Sequence, residues 1–171
     1  AALLQLGSVN LRSDDATAAE SHLREALAIK RRLGETDDRI YSSLVNDLAL
    51  VLRAKAPQEA LQLFQQHHAD LVARHGELHD GSITLLANIG SQQMRLFDYP
   101  AARETLERAL PLARRGLGES HPLVSVLLSN LALTERRLGH HDRAALLQRE
   151  DLALSVKVQG PRHPDVGISW L

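Results

Sequence analysis

Cysteine is absent from this 171-residue chain, and the three aromatic residue types together supply only 3% of it. Without cysteine there is neither a disulfide framework nor thiolate chemistry, a composition that fits the cytoplasm. With so few aromatics, buried layers must be built from Leu, Ala and Val, which suits closely packed helices. An excess of charge is missing too. Twenty Lys and Arg stand against 21 Asp and Glu, so no global field attracts nucleic acid or an anionic membrane. The longest apolar run, near residues 48–52, falls far short of the roughly 18 residues that span a bilayer. The opening AALLQLGSVNL lacks a basic flank and a long enough apolar run for a signal peptide. Neither a nucleic-acid nor a membrane partner is expected.

What the chain does have is a period. Gly34, Gly76, Gly118 and Gly160 are each 42 residues apart, and the same interval separates His79, His121 and His163, and Ala60, Ala102 and Ala144. A period of that length marks a solenoid, in which each unit packs only on its neighbours. One array over residues 1–171 is expected, with units at about 34–75, 76–117 and 118–159 and partial ones at 1–33 and 160–171. The chain begins inside one helix and stops inside another, which reads as a piece of a longer array.

Within each unit the apolar residues recur at the helical period and never alternate, so the class is all-α. Helices are predicted from about Ala16 to Leu33 and Asp38 to Ala54, with the next starting at Pro57. Ala60, Leu63, Phe64 and Leu71 are its expected inward residues. Small residues at Gly7, Ala49, Gly90 and Ala132 are expected to face Ala19, Ala60, Ala102 and Ala144, where paired helices come closest. Three departures stand out. His67 and Asp151 replace a small inward residue, which suggests side chains reaching beyond their own helix pair. Pro111 removes one backbone bond and is expected to kink its helix.

The pattern large-x2-Leu-Gly/Ala, followed by Ala-x3-Phe/Leu, resembles the tetratricopeptide repeat. The 42-residue period with LGESHP (117–122) and QGPRHPDV (159–166) resembles the longer variant typified by kinesin light chains. NDLAL at 46–50 and SNLAL at 129–133 resemble that family's Asn-Asn-Leu-Ala-Leu core, and Trp170 falls at its consensus tryptophan. The resemblance implies a right-handed superhelix of antiparallel helix pairs, with A helices lining a concave face and B helices a convex one. It also implies a protein-interaction role.

On that fold, the A-helix position before the Leu-Ala/Gly pair points into the groove. Here it is Gln5, Asp47, Asn88 and Asn130. One turn later lie Ser8, Leu50, Ser91 and Leu133, and a turn beyond those Arg12, Arg53, Arg95, Arg136 and Arg137. An amide can donate to and accept from a peptide backbone. Guanidinium forks beside it suit carboxylates. Asn at this place on successive repeats holds the ligand in peptide-binding members, and the carry-over is closest for Asn88 and Asn130.

Other chemistries find no support. The histidines repeat one turn per unit, too far apart to share a zinc ion, and HExxH is missing. There is no GxxxxGK, GxSxG or GxGxxG, and the paired carboxylates lie at turns or on helix surfaces. Neither metal, cofactor nor catalysis is expected. The expected function is a non-catalytic module holding an acidic or carboxylate-bearing peptide or partner segment in its concave groove. The alternative is a structural or regulatory segment of a larger signalling or defence protein, beside a protease, ATPase or kinase domain. In that case contacts are intramolecular or self-associating through the exposed terminal repeats.

Overall fold

The computed structural model describes residues 16–36 and 39–159, and they form seven α-helices with no strand among them. These are α1 (Ala16–Arg32), α2 (Arg39–Leu52), α3 (Pro57–His75), α4 (Asp80–Arg95), α5 (Tyr99–Leu117), α6 (Pro122–Arg137) and α7 (His141–Gln159). The chain divides into two compact units, Ala1–Arg74 and His75–Leu171.

In the first unit, α1 buries Ala19, Leu23, Ala26 and Leu27, the one-stripe spacing of an amphipathic helix. It packs on α2, whose buried face is wider and runs from Tyr41 to Leu52. Arg24 pairs with Glu20 at 2.8 Å and with Glu59 at 2.6 Å, which ties α1 to the start of α3. On α3, Ala60, Phe64 and Leu71 are buried as expected and Leu63 only half so; His67 is buried at its inward position, and His68, outside the expected set, goes inside beside it.

In the second unit α4 packs on α5, α5 on α6, and α6 on both α7 and α4. Its core runs through Ile83, Leu86, Leu106, Leu110, Val124, Leu127, Leu128 and Leu131, with Ala87, Ala109 and Ala113 at the close contacts. Fully burying each such leucine or isoleucine contributes about 1.5–3 kcal/mol. Gly90 meets Leu106 at one of these contacts: a Cβ on it would lie 2.6 Å from Leu106 Cδ2. The expected partner Ala102, one turn earlier on α5, is fully buried.

Turn residues set where the helices begin. His79 and His121 are N-caps, each accepting a backbone N–H on its Nδ1, from Gly81 and Leu123 respectively, both at 3.2 Å. For His121 this is the role its place before Pro122 suggests; His163 lies outside the described residues. Asp98 caps α5 through the Ala101 N–H at 3.2 Å. The α5 helix runs unbroken through Pro111, on its exposed side, where a carbonyl without an amide partner can turn to water.

Candidate functional site

The A helices of the second unit, α4 and α6, carry most of the candidate positions, and the two helices lie against each other. Asn88, Ser91, Asn130 and Leu133 are all half-buried. Asn130 Nδ2 donates to Ser91 Oγ at 3.0 Å, and Ser91 Oγ donates to the Ala87 carbonyl at 2.9 Å. Successive repeats therefore meet at these positions, and part of the Asn130 amide is committed to holding α6 on α4.

Farther along, Arg95, Arg136 and Arg137 are exposed and carry no ion pair among the described residues. The B helices are mixed: Arg103, Arg115 and Arg149 likewise carry no ion pair among the described residues, whereas three other arginines do. Arg108 pairs with Glu77 at 2.7 Å, Arg114 with Glu119 at 3.3 Å and also with Glu150, and Arg143 with Glu107. The only carboxylates of α4 and α6 are Asp80, in the first turn of α4, and Glu135. Glu135 is wholly buried, with His140 Nδ1 at 2.6 Å from one oxygen and Arg143 Nη1 at 3.1 Å from the other. Positive charge at the ends of these two A helices is thus left without a nearby partner.

In the first unit Asp47 is half-buried, and that burial holds its carboxyl above the usual aspartate range. Arg53 and Leu50 are exposed. Gln5, Ser8 and Arg12 lie outside the described residues.

The polar residues at small inward positions do not reach beyond their own helix pairs, which corrects the expectation. Ser42 Oγ on α2 lies 2.9 Å from His67 Nε2 on α3. Tyr41 meets the same ring edge-on, with centroids 5.0 Å apart. Ser125 and Ser129 on α6 donate to the two oxygens of Asp151 on α7, the second at 2.5 Å. In the intervening pair the corresponding residues are Ile83, Ala87 and Ala109, all buried and apolar. Polar insertion is matched across each helix pair, which gives His67 Nε2 and the Asp151 carboxylate local partners, while His67 Nδ1 is buried without one. Its signal lay in the helix A serines, which stand where the neighbouring unit has Ile83 and Ala87. One further residue escaped notice. Phe97, in the α4–α5 turn, is 77% exposed and adopts a φ of 60°.

Among the described residues no group of three or more His, Cys, Asp or Glu could hold a metal. None of the described helices is long and apolar enough to cross a membrane.

Comparisons with known proteins agree with this geometry. No curated protein matches the chain. Among solved structures, BtubC (BKLC) from P. vanneervenii superposes with a TM-score of 0.83 at 22% identity, covering 96% of this chain and 66% of that one. The chain thus spans slightly less than two thirds of BtubC. A single-substitution variant of a Podosopora anserina protein, of kinesin-light-chain type with nearly identical TPR-like repeats, gives a TM-score of 0.82 at 20% identity. Its unsubstituted form gives 0.81 at 19%, and both comparisons cover 98% of this chain and 80% of theirs. A family profile described as tetratricopeptide repeat matches residues 1–70 and 81–155. With stacked helix pairs on a 42-residue period and that match over most of its length, the chain belongs to the tetratricopeptide-repeat family, whose arrays generally mediate protein–protein interaction and are typically non-catalytic.

Proposed function

We propose that the chain binds an acidic or carboxylate-bearing segment of a partner protein along the A helices of its second unit. The observation that carries this reading is the free cationic set Arg95, Arg136 and Arg137, on helices whose only other charges are a first-turn aspartate and a buried, paired glutamate. A guanidinium fork offers a carboxylate two parallel N–H donors, which an ammonium cannot do. Ser91 and Asn130, already in contact, supply polar atoms one or two turns back along the same helices, where a bound backbone needs donors and acceptors. Asn88 lies on that turn of α4 as well. Last-turn cations also complement the helix dipole, by about 0.3–1 kcal/mol each, so binding must be measured directly.

Fluorescence-anisotropy titrations with glutamate-rich and lysine-rich peptides test the reading. The acidic peptide is expected to bind more tightly, and less so as salt is raised. At about 0.2–1 kcal/mol for each exposed charge pair, Arg95→Ala with Arg137→Ala should weaken it roughly two- to thirtyfold. Equal and salt-insensitive affinity for the two peptides would falsify it.

A further inference from the structure

Phe97 is the one non-glycine residue with positive φ among the described residues, at 60°. It follows the C-cap of α4, with Phe97 N–H donating to the Met94 carbonyl at 3.1 Å and Asp98 N–H to the Gln93 carbonyl at 3.0 Å. The next unit builds the same turn, 42 residues on. Gly139 N–H donates to the Arg136 carbonyl at 3.2 Å and His140 N–H to the Glu135 carbonyl at 2.9 Å, with φ of 84° at Gly139. This cap places one residue in the left-handed region, where glycine is unstrained and a bulky side chain is an outlier.

Phenylalanine therefore carries a conformational cost here that glycine would not. The fold returns little for it: the side chain is 77% exposed, and its one ring contact is edge-on to Tyr99 at 6.3 Å. A residue that breaks a local rule without a gain in packing points to a use outside the fold. Its surroundings narrow that use. Arg95 lies two residues before it, and Arg136 and Arg137 end α6, which packs on α4. The neighbouring Asp98 is occupied as the cap of α5.

We propose that Phe97 is an apolar anchor for a partner protein segment in which an aliphatic or aromatic side chain is flanked by carboxylates. The apolar group packs on the Phe97 ring while the carboxylates go to Arg95 and Arg137. The inference rests on the arginine reading above and adds to it a hydrophobic contact at the edge of the cationic face. Aromatic side chains surrounded by groups that exclude water are where interface energy concentrates.

Three fluorescein-labelled peptides test it: glutamate-rich with one central leucine, the same with alanine in its place, and lysine-rich with the leucine. Wild type is expected to bind the leucine peptide about tenfold more tightly than the alanine one. In Phe97→Gly that preference disappears, while the affinity for the alanine peptide stays as it was. The melting temperature does not fall, because the turn then matches that of Gly139. Phe97→Asn, also tolerant of the left-handed region, gives the same result. Equal binding of the two acidic peptides by wild type overturns the proposal, as does a leucine preference that survives Phe97→Gly. Sedimentation showing a wild-type dimer that Phe97→Gly dissolves also overturns it, by placing a second copy on the ring. If the lysine-rich peptide binds as well as the acidic ones, the arginine reading fails independently of the leucine comparison.

Discussion

Gly90 to alanine is the smallest change that tests how the helix pairs close. The added methyl would stand 2.6 Å from Leu106 Cδ2 and 2.7 Å from Cγ, against roughly 3.5–4.0 Å for an ordinary carbon contact. Leu106 cannot swing away, because it is fully buried among Ile83, Leu86 and Leu110 in the core of the second unit. Overpacking of this kind costs about 1–3 kcal/mol. The same substitution gains about 1 kcal/mol of helix propensity in α4. The net expectation is a loss of about 1 kcal/mol. Leu106→Ala alone should cost about 2–5 kcal/mol by opening a cavity. In that background the obstructing atoms are gone, so Gly90→Ala should stabilise by up to about 1 kcal/mol. The sign of one substitution thus reverses with its partner, a coupling of about 1–3 kcal/mol. Urea unfolding followed by far-UV circular dichroism measures it. Repeat arrays can unfold in parts, so amide exchange in α4 and α5 should accompany the titration. The same sign in both backgrounds would refute the reasoning.

Two further predictions follow from the polar pairs. Asp151→Ala should cost about 1–2 kcal/mol by stripping Ser125 and Ser129 of their acceptor. Adding Ser125→Ile and Ser129→Ala rebuilds the apolar set of the preceding helix pair and should recover most of that loss; a triple variant less stable than the single one contradicts the account. His67 titrates below the ordinary imidazole value of 6.5, because burial disfavours the charged ring. Arg74, Arg31 and His68 push the same way, while Asp70 opposes them. The folded chain therefore binds fewer protons than the unfolded one. The stability linked to His67 is complete above pH 6.5 and is lost as the pH falls towards the folded-state value. Urea midpoints at about pH 8 and 5.5 should separate more in wild type than in His67→Ala, and equal separations would exclude His67 as the source.

Helix positions were legible because they rest on local signals. Pro57 starts α3 as expected, and α1 runs over Ala16–Arg32 where a helix was expected from about Ala16 to Leu33. The burial of Ala49, Ala60, Ala102, Ala132 and Ala144 follows from the same repetition, since equivalent residues in a stack see equivalent neighbours. The candidate site was legible only as positions. That Asn88 and Asn130 recur at one phase of their helices can be counted in the sequence. That Asn130 spends an N–H on Ser91 cannot, because the contact spans 39 residues and depends on how far α6 sits along α4. His67 and Asp151 were visible as irregularities, yet their partners were misjudged.

The sequence by itself determined the all-α class and the helical spacing, because a 3.6-residue apolar period and small residues at fixed intervals act through each helix and its immediate neighbour. Tertiary structure alone decided which polar atoms meet across those helices and which cations are left unpaired. Both depend on the axial register between helices, which packing of the whole interface sets to within an ångström or so. The backbone at Phe97 belongs to the second group. Its left-handed φ is imposed by the two hydrogen bonds that close α4, against the preference of the residue itself.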